Sequence, residues 1–456
     1  MNRMLVLDVV GLTPRLLEHM PRLRALAEGG GRAELGTVLP AVTCSVQSTF
    51  LTGRLPRDHG IVGNGWYFRD LGEPLLWRQH HRLVQGEKVW ETIRREQPGY
   101  RVANVCWWYA MGSTADTTVT PRPVYRADGR KEPDCWTWPP ELHDELEAEL
   151  GPFPLFTYWG PTAGIASSRW IVAAARRLLP DHDMTLVYVP HLDYDLQRFG
   201  PDGPEAVAAA QAVDEVLAPL LDDAERTGTT VVALSEYGIT AARRPVDVNR
   251  ALRRAGLLHV HTNATGELLD PWTSRAFAVA DHQVAHVYVP DADDLAEVSE
   301  LLAALPGVAE VLDAAGRAAY GLDHERAGDL VLVAEPDAWF TYYYWLDDER
   351  APDFARSVEI HKKPGFDPAE LFWDGPWAKV RAAMHVARKK LGLRSSMRVV
   401  PLDPAPVRGT HGRLPADPAD GPVLLSSVPL DGTERLEATE VRDLLLRLSR
   451  RRSPVG

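Results

Sequence analysis

The strongest constraint on the fold is a series of short, continuously apolar segments separated by longer helical ones. Four of these segments are predicted strands: Met4–Val10, Arg101–Trp107, Met184–Val189 and Thr229–Leu234. Strands that are apolar on both faces, with helices between them, are typical of a mainly parallel sheet with helices on both faces. The sequence therefore predicts an α/β protein in which a ligand binds beyond the carboxyl ends of the strands.

The composition excludes several classes of partner. The 456 residues include 63 acidic and 50 basic ones, which gives a formal net charge of −13. This acidity argues against a nucleic-acid polymer held by bulk positive charge, so phosphate chemistry would need a local positive centre such as a metal ion. No apolar run has membrane-spanning length, and the three scattered cysteines (Cys44, Cys106 and Cys135) favour a reducing compartment. We expect a cytoplasmic protein without a membrane partner, and the sequence leaves its oligomeric state open.

The pattern changes at about Arg243. The following stretch has predicted strands at Ala276–Val279, Ala285–Val289 and Leu330–Ala334, with a predicted helix at Asp293–Leu305. We therefore predict a catalytic core formed by residues 1–242 and 396–456. Residues 243–395 are predicted to be an inserted α+β segment, or the edge of the sheet, that contributes to the site.

Three acidic residues lie at or just beyond the ends of predicted core strands. Asp8 lies near the carboxyl end of the first strand, Asp193 follows the third, and Glu236 follows the fourth. Taken alone, Asp8 could equally cap the next helix. Three like charges that converge beyond one sheet would repel one another strongly unless cations lay between them. This convergence is the argument for a metal site.

Two polar residues in the first part of the chain could bind an anion. Thr43 is predicted at the start of a helix, where backbone N–H groups and the helix dipole favour a negative charge. It could also be an ordinary N-cap threonine. Asn64 lies in a glycine-flanked turn and could donate a hydrogen bond to a phosphoryl oxygen, although asparagine is also common in turns for conformational reasons.

The order and spacing of these residues resemble the alkaline phosphatase superfamily, and within it the nucleotide pyrophosphatase/phosphodiesterase branch. The segments that carry the resemblance are Asp8, Pro40-Ala41-Val42-Thr43, Thr52-Gly53, His59-Gly60-Ile61, Asn64, Asp193-x-x-x-Gln197 with Gly200-Pro201, Ser235-Glu236-Tyr237-Gly238 and Gly409-Thr410-His411-Gly412. The resemblance covers roughly residues 4–68 and 183–240 and the loop around His411. It implies an alkaline-phosphatase-like core, a site with two metal ions and a threonine nucleophile.

Residue by residue, the resemblance implies Thr43 as the nucleophile and Asn64 as the residue that binds the substrate oxyanion. The implied ligands are Asp8, Thr43, Glu236 and Tyr237 for one metal, and Asp193, Gln197 and His411 for the other. This chain departs from the family pattern, because Gln197 replaces a histidine and Glu236-Tyr237 replaces an Asp-His pair. Both sets of ligands are richer in oxygen than a zinc pair, which brings Mn²⁺, Mg²⁺ and iron into consideration beside Zn²⁺.

Four further residues could contribute to the site. Trp66 and Tyr67 follow Asn64 closely and could stack on a base or another flat leaving group. Most of the other aromatic clusters are expected to be buried in the core. His282 could supply a nitrogen ligand, although a structural histidine is the more common case. His361 could also join the site or could equally be structural.

These observations predict a metal-dependent hydrolase of phosphodiester or pyrophosphate bonds that acts through Thr43 on small-molecule phosphate esters or nucleotides. An amide at Asn64, rather than a guanidinium group, suits a singly charged diester better than a dianionic monoester. The alternatives are a phosphonate or phosphomonoester hydrolase on the same site, and a catalytically degenerate binding protein that retained the fold. A sulfatase is excluded because Cys44-Ser45-Val46 lacks the proline and arginine of that nucleophile motif.

Overall fold

The computed structural model describes residues 3–127, 131–391 and 397–450, and its centre is a nine-stranded sheet. In spatial order its strands are Arg435–Leu436, Gly31–Leu35, Val423–Ser426, Thr230–Leu234, Met4–Val9, Met184–Val189, Val102–Val105, Thr117–Pro121 and Cys135–Trp138. The five strands from Thr230–Leu234 to Thr117–Pro121 are parallel to one another. The prediction of a mainly parallel sheet is therefore confirmed.

Burial explains why the central strands are continuously apolar. Every residue of Met4–Val9, Met184–Val189 and Thr230–Leu234 is buried. Because successive side chains of a strand point to opposite faces, both faces of this sheet must be covered. The covering helices form packed groups, such as Ile165–Leu178 against Pro204–Arg226 and Thr43–Thr52 against Val441–Arg450.

The helices have the following bounds in the structure. The longer ones are Pro21–Gly29, Thr43–Thr52, Val89–Glu96, Glu141–Leu150, Ile165–Leu178, His191–Phe199, Pro204–Arg226, Leu295–Ala303, Ala378–Lys390 and Val441–Arg450. The shorter ones are Pro14–Leu17, Pro56–His59, Val248–Arg254 and Ala314–Ala319. Within the ranges that the structure describes, no helix combines the length and apolarity needed to cross a membrane.

A second, four-stranded antiparallel sheet lies in the predicted insertion. Its strands, in spatial order, are Phe277–Asp281, Val284–Tyr288, Leu330–Ala334 and Val308–Leu312. This sheet has a buried apolar cluster separate from that of the large sheet. The proposed division at residues 242/243 stays a prediction, and the boundary at 395/396 lies outside the described residues.

Among the described residues, five short strand pairs lie outside the two larger sheets. The pairs are Gly65–Phe68 with Glu73–Leu76, Val124–Tyr125 with Lys131–Glu132, Thr240–Ala241 with Gly409–Thr410, Arg244–Val246 with Ala338–Phe340, and Val260–Asn263 with Gly266–Leu269. The pairing of Thr240–Ala241 with Gly409–Thr410 brings the loop of His411 next to the segment that follows Glu236 and Tyr237.

Candidate active site at the carboxyl ends of the strands

A cavity of about 1800 Å³ lies beyond the carboxyl ends of the parallel strands. The predicted site residues that line it are Thr43, Asn64, Asp193, Tyr237, His282, His361 and His411. The structure thus brings together residues from the core and from the predicted insertion. Asp8, Gln197 and Glu236 do not line the cavity. Gln197 donates to Asp193, Glu236 lies beside Thr43, and Asp8 accepts from Gln47.

Thr43 is the first residue of the helix Thr43–Thr52. The cap position belongs to Val42, whose backbone is extended, so the alternative that Thr43 is the N-cap is wrong. Because its hydroxyl is not used to cap the helix, it can make other contacts, and Oγ1 lies 3.2 Å from the hydroxyl of Tyr237. A hydroxyl group therefore stands on the cavity wall at the positive end of a buried helix.

Asn64 connects the start of this helix to the second sheet. Its Oδ1 accepts a hydrogen bond from the backbone N–H of Cys44 at 3.0 Å. Its backbone N–H and its Nδ2 both donate to the carboxylate of Asp281, at 2.8 and 3.1 Å. A side-chain amide has two hydrogens, so one remains for an oxygen atom in the cavity.

Asp8 and Glu236 form the first half of the predicted metal site. Oδ2 of Asp8 accepts from Nε2 of Gln47 at 2.8 Å, whereas Oδ1 of Asp8 and both carboxyl oxygens of Glu236 have no hydrogen-bond partner. Burial raises the pKa of Asp8 to about 7. Burial, followed by the charge of Asp8, raises the pKa of Glu236 well above its usual value. Two carboxyl groups without a compensating charge therefore lie side by side.

Asp193, Gln197 and His411 form the second half. Oδ2 of Asp193 accepts from Nε2 of Gln197 at 2.8 Å, and Oδ1 accepts from the hydroxyl of Tyr237 at 3.4 Å. Nε2 of His411 lies 3.7 Å from the same Oδ1, and Nδ1 of His411 lies 2.8 Å from the carbonyl of Ala41. Burial raises the pKa of Asp193 to about 7 and lowers the pKa of His411 well below its usual value.

Four rings form a continuous column along one side of the cavity. Tyr237 stacks on His411 with ring centroids 3.6 Å apart, His411 lies 3.7 Å from His282, and His282 lies 3.7 Å from Phe366. His282 follows Asp281, and its Nδ1 lies 2.9 Å from Oδ1 of that carboxylate. The predicted insertion therefore reaches the site through His282.

The structure corrects the prediction for Trp66 and Tyr67. Neither residue lines the cavity. Trp66 is buried against Phe68 and beneath the guanidinium of Arg326, because the strand Gly65–Phe68 turns its side chain into the interior. Tyr67 packs instead against aromatic rings of the second sheet. The aromatic side chains that do line the cavity include Trp77, Trp108, Trp159 and Phe366.

Three residues of the site were missed by sequence reasoning. Gln47 lies one helical turn after Thr43 and is held by the backbone N–H of Trp108 at 2.8 Å. Asp281 directly precedes His282, and that carboxylate–histidine pair was the available signal. Phe366 carried no sequence signal. His361, one of the further candidates from the sequence, lines the cavity, and its Nδ1 lies 3.4 Å from the carbonyl of Leu76.

The two halves differ in how well they fit a metal ion. The first half offers three carboxyl oxygens without partners, next to the hydroxyl of Thr43, and this donor set fits a divalent cation that prefers oxygen. In the second half both oxygens of Asp193 are already engaged by hydrogen-bond donors. Among the described residues, three ligand atoms of His, Cys, Asp or Glu lie within 4.8 Å of one another only at Asp134–Cys135–His143 and His143–Asp144–Glu147. Neither group contains a predicted site residue, although Asp134 and Cys135 line the same cavity.

Comparison with known proteins identifies the relatives of this arrangement. A model of the type I phosphodiesterase / nucleotide pyrophosphatase family matches residues 4–367. An uncharacterized pyrophosphatase/phosphodiesterase of Schizosaccharomyces pombe is 25% identical over 251 residues, which are 51% of this chain and 42% of the relative. The match thus spans less than half the length of that curated relative.

Solved structures share the fold over almost the whole chain. Phosphonoacetate hydrolase from Sinorhizobium meliloti, in complex with phosphonoformate, is similar with a TM-score of 0.63 and 18% identity, over 98% of this chain and 96% of that one. An inactive variant of murine ectonucleotide pyrophosphatase / phosphodiesterase 5, in complex with AMP, has a TM-score of 0.59 and 15% identity, over 99% and 96%. At these identities the likeness establishes the fold, and it confirms the predicted alkaline-phosphatase-like architecture.

Proposed function

Because the chain belongs to the type I phosphodiesterase / nucleotide pyrophosphatase family, we propose that it is a metal-dependent hydrolase of phosphodiester or pyrophosphate bonds with Thr43 as the nucleophile. One observation carries the proposal. The hydroxyl of Thr43 stands at the first turn of a buried helix, on the wall of a large cavity, beside the buried carboxyl groups of Asp8 and Glu236. Family membership agrees with the predicted class of hydrolase.

The residues of the chain have distinct roles in the proposed reaction. Oγ1 of Thr43 loses its proton to water and forms a bond to phosphorus while the bond to the leaving oxygen breaks, and the leaving oxygen takes up a proton from solvent. A water molecule then attacks phosphorus, the bond from phosphorus to Oγ1 breaks, and Oγ1 regains a proton. The free amide hydrogen of Asn64 holds a non-bridging oxygen, close to the positive end of the helix. The contact between Asn64 and the backbone N–H of Cys44 fixes the distance between the nucleophile and this donor.

The first half of the site would hold a metal ion. Asp8, Glu236 and the hydroxyl of Thr43 would be its ligands. A divalent cation bound there would lower the pKa of the Thr43 hydroxyl and would neutralise negative charge on the phosphoryl group. The arrangement of Asp193, Gln197 and His411 does not fit a second ion, because the carboxylate of Asp193 is bound by Gln197 and Tyr237.

We also propose small-molecule phosphate esters or nucleotides as substrates and the cytoplasm as the location. The cavity supports the first proposal, since Trp77 and Trp108 lie on its wall with ring centroids 4.7 Å apart and offer faces for a flat leaving group. The second is supported by the three cysteines, which are all unpaired and buried.

The nucleophile is tested with Thr43→Ala and bis-p-nitrophenyl phosphate in the presence of Mn²⁺. Hydrolysis should fall to background, because no other side chain replaces the attacking oxygen. Thr52→Ala is the matched control at the other end of the same helix, where the hydroxyl donates to the backbone of Ser48. Undiminished hydrolysis by Thr43→Ala would refute the assignment. Steady-state rates on p-nitrophenyl phosphate and on a phosphonate ester then rank the monoesterase and phosphonate alternatives.

A binding protein without turnover is the second candidate function. The observation that favours it is the engagement of Asp193 by Gln197 and Tyr237, in positions where the family resemblance implies metal-binding histidines. Calorimetric titration with AMP and with bis-p-nitrophenyl phosphate separates the two candidates. Binding with no release of p-nitrophenol at any metal concentration would favour the binding protein.

A further inference from the structure

We infer that this site holds one divalent cation of the oxygen-preferring kind, at Asp8 and Glu236, and not the pair of ions that the family resemblance implies. The inference deepens the proposed function and rests on the same site. It follows from a difference between the two halves in the atoms that remain available to an ion.

The first half has donor oxygens available to a cation, and among the described residues no basic side chain forms an ion pair with them. The side chains of Asp8 and Glu236 are both fully buried, and three of their four carboxyl oxygens have no partner. Throughout the part of the chain that the structure describes, no lysine or arginine forms an ion pair with either residue. Buried carboxylates without a paired charge are strongly destabilising, so a bound cation would remove a large penalty.

The atoms of this half select the kind of cation. Its available donors are carboxyl oxygens and the hydroxyl of Thr43, with no imidazole or thiolate among them. The neighbouring side chain, Tyr237, turns its hydroxyl to Thr43 and Asp193 and stacks its ring on His411. Oxygen donors completed by water are typical of Mg²⁺ and Mn²⁺, whereas zinc sites are usually built with nitrogen or sulfur.

In the second half both oxygens of Asp193 are engaged by hydrogen bonds, whereas Oε1 of Gln197 has no partner. Nε2 of Gln197 and the hydroxyl of Tyr237 each donate to a different oxygen of Asp193. The Tyr237 hydroxyl, 3.2 Å from Thr43 Oγ1 and 3.4 Å from Asp193 Oδ1, fills the space through which an ion would contact both. A second cation would have to displace this hydroxyl and rotate the Gln197 amide. Nε2 of His411 lies 3.7 Å from Asp193 Oδ1.

The experiment measures metal content and thermal stability, neither of which depends on turnover. The full chain is stripped with chelator, incubated separately with Mn²⁺, Mg²⁺ or Zn²⁺, and desalted. Bound metal is then measured by mass spectrometry, and Mn²⁺ binding by calorimetry. Two isosteric variants, Glu236→Gln and Asp193→Asn, remove one buried carboxylate from each half. Their circular dichroism spectra establish that they fold.

We expect one equivalent of Mn²⁺ in the wild-type chain, a raised melting temperature when Mn²⁺ is present, and a preference for Mn²⁺ over Zn²⁺. Glu236→Gln should lose both the ion and the shift in melting temperature, whereas Asp193→Asn should keep both. Two equivalents in the wild type, or one that is lost in Asp193→Asn and kept in Glu236→Gln, would overturn the inference. No bound metal would also overturn it.

A gain-of-site variant gives a second readout. Gln197→His combined with Tyr237→His restores the two imidazoles that the resemblance implies, and it should raise the content to two equivalents with zinc now accepted. An unchanged single equivalent would contradict the role assigned to Gln197 and Tyr237. The proposed function can fail separately. One equivalent of Mn²⁺ without hydrolysis overturns the proposed hydrolase and leaves the inference standing. Hydrolysis with two equivalents of Mn²⁺ overturns the inference and leaves the proposed hydrolase standing.

Discussion

The hydroxyl oxygen of Tyr237 lies 3.2 Å from Oγ1 of Thr43. The same hydroxyl donates to Asp193 over 3.4 Å, and the ring stacks on His411 with an angle of 6° between the planes. One side chain therefore contacts the proposed nucleophile, a buried carboxylate and an imidazole. Tyr237 stands where the family resemblance implies a histidine, so this contact lies at a position where the chain departs from that pattern.

Tyr237→Phe should lower the turnover of bis-p-nitrophenyl phosphate and leave KM nearly unchanged. The hydroxyl of Tyr237 restrains the rotation of the Thr43 side chain, and a hydrogen bond of this kind contributes about 1 kcal/mol, so kcat should fall roughly fivefold. Tyr100→Phe is the control, because its hydroxyl donates to the backbone of Asp183, away from the cavity. A rise in kcat would mean that Tyr237 restrains the site in an inactive arrangement.

Asn64→Ala should reduce kcat by about a hundredfold to a thousandfold, the range found when one donor to a developing oxyanion is removed. The variant also removes the acceptor of the Cys44 N–H and a donor to Asp281, so its stability should fall as well. Asn104→Ala separates the two effects. Asn104 is likewise buried and accepts a backbone N–H, from Trp107, but it does not line the large cavity. An equal loss of kcat in both variants would show that Asn64 acts through stability alone.

Acid should destabilise the protein through His286. Its Nδ1 accepts from the N–H of Gly328 and its Nε2 donates to the carbonyl of Val62, so the neutral ring satisfies both contacts. Burial lowers the pKa of His286 from 6.5 to about 4. The unfolded chain therefore takes up a proton as the pH falls through 6.5 while the folded protein does not, and stability decreases between pH 6.5 and 4. The whole difference corresponds to about 3 kcal/mol.

Buried carboxyl groups with raised pKa values oppose this trend, so the measurement must be a difference between two proteins. The free energy of unfolding in urea is determined for the wild type and for His286→Gln at about pH 7.5 and at about pH 4.5. The advantage of the wild type over the variant should shrink by about 2–3 kcal/mol at the lower pH. An advantage that is independent of pH would show that His286 is protonated with an ordinary pKa in the folded protein.

The arrangement of the core strands could be predicted because it depends on local patterns. Segments such as Met184–Val189 are continuously apolar since both faces of the sheet are covered, and this is visible in the sequence itself. The positions of Asp8, Asp193 and Glu236 followed from the rule that the ends of parallel strands meet at one edge. The structure places all three near Thr43 or Tyr237.

The remaining parts of the site depend on contacts between distant segments. Asp281 binds Asn64 across 217 positions, and no local pattern predicts such a pairing. Proximity along the chain was a poor guide for Trp66, since a strand that begins directly after Asn64 turns alternate side chains away from the cavity. Gln47 was missed because it lies inside a helix, away from the strand ends and from the residues that carry the family resemblance.

Lys363→Met should be strongly destabilising. The ammonium group of Lys363 is almost completely buried, 2.7 Å from Asp367 and 2.6 Å from Glu370. Removal of the cation leaves two buried carboxylates unpaired, which costs about 3–5 kcal/mol. Glu370 also accepts from the indole N–H of Trp159 on the cavity wall, so the KM for an aromatic diester should rise in the same variant.

The neighbouring Lys362 is exposed, and Lys362→Met should change the free energy of unfolding by no more than about 0.5 kcal/mol. Urea unfolding of the two variants decides the point, and equal small losses would contradict a stabilising role for the buried ion pairs.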